Sequence, residues 1–231
     1  KSFCVGTASL REAENAGVFL NEVKERLGIT INVISEKEEA YYSYLSVKGD
    51  GHISTRGVII TDIGGGSTEI IKGGAGGFDD FVSLPVGSVK LTEMFIKHDP
   101  PVKEEIIFLE SFVREILNIP FCRGGNMLVG TGGTITNAAS LILGLDDFNK
   151  ERIHGCSITL KEIEELVENM TKINSKDRSL MKGMEKGRED IILQGILLLR
   201  GIMRYFGAQE ITVSANGVRY GVLYEAFQKN S

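Results

Sequence analysis

The stretch Ile59-Ile60-Thr61-Asp62-Ile63-Gly64-Gly65-Gly66-Ser67-Thr68-Glu69 constrains this chain more than any other. Residues 58–60 are apolar and β-branched, the pattern of a short buried strand. Asp62 then falls at the strand's end. Three successive glycines carry no Cβ, so the backbone can turn sharply and bring several N–H groups close to an anion. Asp62 and Glu69 are spaced to hold a divalent cation, and Ser67 and Thr68 to reach phosphate oxygens. A plain glycine hairpin is the simpler reading. Carboxylates at both ends with hydroxyls between them favour an anion-and-metal loop instead.

A second string, Val129-Gly130-Thr131-Gly132-Gly133-Thr134, again follows a strand and precedes a helix. The start of that helix offers unpaired N–H groups to an anion. Taken alone, the string is also what a tight strand-to-helix connection looks like. Beside the first loop it gains meaning, because two strand-end loops can face one phosphate chain. Neither loop has the Gly-Lys-Ser/Thr of a Walker A motif, and neither is GxGxxG. Two further features stand out. Glu36-Lys37-Glu38-Glu39 reads first as an acidic helix start, where carboxylates suit the dipole. Arg11 sits in the first turn of an expected helix, a position the dipole does not favour. Its fork of donors matches phosphate geometry, with a surface role competing.

Of the 231 residues, 42% are hydrophobic and the net charge is −5. The acidic balance and the lack of a long basic stretch argue against nucleic acid as a main partner. Cys4, Cys122 and Cys156 show no CxxC spacing, which indicates neither a zinc site nor a disulfide framework and suits a reducing cytoplasm. No apolar run approaches the ~20 residues of a membrane span. His52, His98 and His154 lie far apart and read as surface or loop residues. Ser67 lacks a GxSxG elbow, so a serine-hydrolase triad is not supported.

Strand patterns are expected at 3–5, 29–34, 58–61, 69–72, 81–84, 127–129 and 210–213. Helices are expected at 10–27, from 36 with Ser35 and Glu38 as a capping box, and at 91–96, 103–117, 135–143, 160–170, 191–206 and 219–227. Polar, Gly-containing loops fill 48–56 and 73–77. The alternation predicts an α/β architecture.

The order of the motifs is specific. Thr7-Ala8-Ser9-Leu10-Arg11-Glu12-Ala13 precedes Val33-Ile34-Ser35-Glu36-Lys37-Glu38-Glu39-Ala40. The two glycine loops follow, with Leu84-Pro85-Val86-Gly87-Ser88 between them, and Ser214-Ala215-Asn216-Gly217-Val218-Arg219-Tyr220-Gly221 comes last. Across essentially the whole chain this resembles the exopolyphosphatase/guanosine pentaphosphate phosphatase (Ppx/GppA) family. The resemblance implies an actin-like ATPase (ribonuclease H-like) fold, with one complete domain plus part of the first domain. Residues 1–45 would close the first domain, 46–217 would form the second with both glycine-rich loops, and 218–231 would be a closing helix. It implies cytoplasmic hydrolysis of terminal phosphate from polyphosphate or pppGpp with Mg²⁺, no DNA or membrane partner, and a possible homodimer. Glu39 takes the family's water-activating position and Arg11 its phosphate-contacting one. Asp62 and Glu69 match the metal positions. Gly64, Gly65, Gly66, Ser67, Gly130, Thr131, Gly132, Gly133 and Thr134 match the substrate loops.

The chain departs from the family pattern in three places. The family's first Asp/Gly/Ser loop is expected upstream of Lys1, Glu36 replaces a glycine, and Tyr41 replaces an arginine. An actin-like kinase or ATPase, or a non-catalytic (p)ppGpp or polyphosphate binder, are the alternatives.

Overall fold

The computed structural model describes residues 2–51, 53, 57–74, 76–121 and 127–228; His52 and Cys122, and parts of the expected 48–56 and 73–77 loops, lie outside them. The chain opens with two short parallel strands, Val5–Gly6 (β1) and Asn32–Val33 (β2), joined through helices Ala8–Glu12 (α1) and Ala16–Leu27 (α2). The single helix expected over 10–27 is two. Ala13 is extended, with φ −70° and ψ 124°, and breaks it. Arg11 anchors α1 to Ile34 and Glu39, whereas α2 buries none of its residues and shares no such anchorage.

Helix α3, Glu36–Lys48, begins with the expected capping box: the Ser35 hydroxyl accepts from Glu38 N, and the Glu38 carboxylate accepts from Ser35 N. Strands Val58–Ile63 (β3), Thr68–Gly74 (β4) and Gly77–Leu84 (β5) then form an antiparallel meander. Helices Ser88–Phe95 (α4) and Lys103–Ile116 (α5) lead to Met127–Thr131 (β6) and Gly133–Ile142 (α6). The remaining elements are Lys150–Ile153 (α7), Ser157–Thr159 (β7), Leu160–Met170 (α8), Ser175–Arg178 (α9), Ile192–Phe206 (α10), Glu210–Val213 (β8) and Val218–Gln228 (α11). Of these, α7, β7 and α9 carry no sequence expectation, because three or four residues are too few to show a period.

One six-stranded sheet, ordered β5-β4-β3-β6-β8-β7, organises the molecule. Its centre, β3, β6 and β8, is parallel. Every residue of β3 is buried, as expected of a central strand covered on both faces. On one face Ile59, Ile63, Ile70 and Leu128 join the large core built with α4, α5, α6, α8 and α10. On the other, Val58, Ile60, Ile71 and Val129 pack under Ala40, Tyr44 and Val47 of α3. Helix α11 backs α3 at close range. A Cβ at Gly221 would collide with the Tyr42 carbonyl, and one at Gly49 would lie 2.5 Å from the Tyr224 ring. Helix α3 thus runs through the expected boundary at 45/46 and is packed on the six-stranded sheet. Among the described residues, no helix is long and apolar enough to cross a membrane.

His154 lies in the turn after α7, as a loop residue, but not at the open surface. Its side chain is only 17% exposed and its Nε2 lies 2.8 Å from Asp50 Oδ2. Its Nδ1 accepts from Ala215 N at 3.2 Å, so the ring ties α7 to the chain after β8. His98, 63% exposed beside Glu105, does lie at the surface.

Candidate active site

Strand pairing places the two expected metal carboxylates directly opposite each other. Asp62 on β3 pairs with Glu69 on β4 and, on its other side, with Thr131 on β6. Side chains alternate along a strand, so Asp62 continues the face that carries Val58 and Ile60. The apolar rungs sit under the middle of α3. The carboxylate rung comes next, at the carboxyl ends of β3 and β6, where open α/β sheets bind ligands. Helix α3 supplies what covers it: Glu39 in its first turn and, one turn later, Ser43.

Glu39 is 7% exposed. Arg11 Nη1 donates to its Oε2 at 3.1 Å and to the Ile34 carbonyl at 2.8 Å. Burial holds the Glu39 carboxyl above its usual range, Arg11 opposes this, and the charges of Asp62 and Glu36 add to it. Burial likewise raises Asp62, against a 2.6 Å hydrogen bond donated by the Ser43 hydroxyl to Oδ2. Glu69 accepts from Ser83 at 3.0 Å. Burial first, then repulsion from Glu39 and Asp62, pushes its pKa to about 8, with Ser83 and Ser67 opposing. The acidic start of α3 is therefore not simply a solvated face: Glu38 caps the helix, and Glu39 turns inward to meet Arg11.

The first glycine loop is held by its carbonyls. Gly64 O accepts from Ser88 N, and Gly65 O accepts from Val89 N and Lys90 N at the start of α4. Gly87 must be glycine for this approach, since a Cβ there would collide with Gly64 O. Among the described residues, no backbone carbonyl outside the strands accepts from the N–H groups of Gly65, Gly66 or Ser67. Those donors are what an anion needs.

The second loop meets the first at Asp62. Gly132 has φ 90° and ψ 163°, and a Cβ there would collide with Asp62 Oδ1. Of the expected phosphate hydroxyls, one is taken up by the backbone, and that of Thr134 is buried and, among the described residues, without a hydrogen-bond partner. Thr131 Oγ1 donates to the Asn216 carbonyl at 2.8 Å, and Thr134 is buried against Gly195 of α10. Beyond this loop opens a cleft of about 500 Å³, lined among others by Thr131, Gly132, Gly133, Arg188, Gly217 and Arg219. Arg188 lies over Gly133, where a Cβ would collide with its guanidinium. Sequence reasoning passed over Arg188 and Arg219. Arg188 stands in no motif, Arg219 entered only as part of the closing motif with no role assigned, and only the fold brings 188 and 219 to the GTGGT loop.

Asp62 and Glu69 offer two facing carboxylates to a divalent cation. Three buried carboxylates, Glu39, Asp62 and Glu69, repel one another with only Arg11 paired among them. Among the described residues, no group of three or more His, Cys, Asp or Glu side chains is placed to hold a metal ion. Mg²⁺ does not require such a group, since it commonly takes one or two carboxylates and fills its shell with water and phosphate oxygens.

Residues 2–230 match the family model of the Ppx/GppA phosphatase family. The chain belongs to that family. It is 31% identical to the bifunctional 3-dehydroquinate synthase/phosphatase of Fusobacterium nucleatum, over 97% of this chain but only 34% of that protein. It is 27% identical to exopolyphosphatase 2 of Mycobacterium tuberculosis, over 94% of this chain and 72% of that one. Among solved structures, the Aquifex aeolicus PPX-GPPA enzyme superposes with a TM-score of 0.86 at 34% identity, covering 96% of this chain and 74% of that one. As in the other Ppx/GppA structures, the fold is α/β and actin-like.

Proposed function

We propose that this Ppx/GppA chain forms the catalytic wall of a phosphohydrolase that releases terminal phosphate from polyphosphate or pppGpp by attack of water. The observation that carries the reading is the cluster of Glu39, Arg11, Asp62 and Glu69 between two glycine loops at the sheet's carboxyl edge. Phosphoryl transfer needs charge neutralisation and in-line placement more than covalent chemistry. The N–H groups of Gly65, Gly66 and Ser67 hold a phosphate oxygen. Arg11 keeps Nη2 buried and, among the described residues, unpartnered, so one arm of its fork is free for an oxyanion while the other orients Glu39. Glu39 accepts the proton of water, and its raised pKa brings it nearer the operating pH of a general base. Asp62 and Glu69 would hold Mg²⁺, which would neutralise the charge of the phosphate chain.

The family names attached to relatives support this substrate class, exopolyphosphatase 2 in particular. The experiment is phosphate release by the full polypeptide from polyphosphate, pppGpp and ATP side by side. Release from either of the first two, well above ATP, is expected. Release from ATP alone would replace this reading with an ATPase, and tight binding without release would replace it with a sensor.

A further inference from the structure

Ser43 is an unusual residue for its place. It lies one turn after Glu39 on α3, on the same side of the helix. It is fully buried, among positions where Ala40, Tyr44 and Val47 pack as apolar residues. A serine inside a helix usually turns its hydroxyl back onto a carbonyl of the preceding turn. Ser46 does so, donating to Ser43 O at 2.7 Å and also to the Asn216 carbonyl at 2.9 Å. Ser43 instead sends its proton across to the sheet, to Asp62 Oδ2 at 2.6 Å. The other oxygen of that carboxylate rests against Gly132, the residue whose missing Cβ leaves it room. Asp62 is therefore held from two sides, by α3 and by the second glycine loop.

We propose that Ser43 is a positioning residue: its hydroxyl fixes the Asp62 carboxylate in one orientation, Oδ1 toward Gly132, at a set distance from Glu39 on the same helix. The two carboxylates that the reaction uses are thereby registered by a single rigid element. Asp62 and Glu39 sit on different elements, separated by the loop between α3 and β3. Without the bridge, their relative position rests on apolar packing and on the Asn216 carbonyl, which accepts from both Ser46 of α3 and Thr131 of β6. The inference rests on the reading of Asp62 as a site residue.

The test uses the full polypeptide with Ser43→Ala and Ser43→Thr. Ser43→Ala is expected to lower kcat about 10- to 100-fold with KM within about threefold, the size of effect that a misplaced supporting group produces. Ser43→Thr keeps the hydroxyl and is expected to stay within about threefold of wild type in both. A crystal structure of Ser43→Ala is expected to show the Asp62 carboxylate rotated off Gly132. If Ser43→Ala does not melt cooperatively, Ser43→Cys, close in volume but a weak donor, is expected to show the same kcat loss. Wild-type kcat in Ser43→Ala, equal losses in the Ala and Thr variants, or an unmoved Asp62 in the crystal would each overturn the proposal. If the wild type releases no phosphate from any substrate, the proposed function fails, and the orientation of Asp62 in the crystal still decides this one.

Discussion

Glu69 gives the account its most quantitative consequence. In the folded chain its pKa rises from 4.5 to about 8, chiefly by burial and then by the charges of Glu39 and Asp62. The folded protein therefore holds this proton more tightly than the unfolded chain does. The resulting stability is complete below about pH 4.5, declines as pH rises, and is lost above about pH 8. At about 1.4 kcal/mol per pH unit the whole rise amounts to about 5 kcal/mol. The part of it that falls between pH 5.5 and 8.5 is about 3 kcal/mol. Both neighbours shift in the same direction and steepen the slope. The lowered acids, Glu38, Asp99, Glu105, Glu162, Glu168 and Glu189, act in the opposite sense but only below about pH 4.5. Urea denaturation in EDTA between pH 5.5 and 8.5 is expected to show wild-type stability falling by about 3 kcal/mol or more, and Glu69→Gln falling by much less. Added Mg²⁺ is expected to flatten the wild-type curve, since a bound cation replaces the proton. Parallel curves for wild type and Glu69→Gln would refute the burial argument.

Two further substitutions probe the same cluster. Arg11→Lys keeps a charge near Glu39 but loses the fork, so KM is expected to rise about tenfold with a smaller change in kcat, read by steady-state kinetics. Gly132→Ala forces a Cβ onto Asp62 Oδ1 at φ 90°, ψ 163°. A loss of about 2–4 kcal/mol in chemical denaturation is expected, from backbone strain plus the displaced carboxylate.

Much of the fold was legible because its signals are local. The β-branched runs of β3 and β6, the Ser35–Glu38 box and the periodic helices α8 and α10 each announce themselves within a short window. The break at Ala13 was not legible, since nothing in the residues around it forbids a helix; the anchorage of Arg11 to Ile34 and Glu39 lies 23 and 28 residues away. The site divides in the same manner. Asp62, Glu69 and the glycine loops were readable as loop chemistry. Ser43 was hidden because a serine in a helix carries no signal until the sheet opposite it is known. Arg188 and Arg219 were hidden because they reach the cleft from separate segments. Thr134 was readable from its place in the GTGGT string, but its burial against Gly195 was not, because Gly195 lies on a distant helix.

The central claim is that Glu39 activates water beside a phosphate chain. Steady-state phosphate release by Glu39→Gln in the full polypeptide tests it most directly. The amide keeps the shape and a contact to Arg11 but cannot take a proton. A kcat lower by about 10²–10⁴-fold with KM nearly unchanged is expected. A kcat within about threefold of wild type would contradict it.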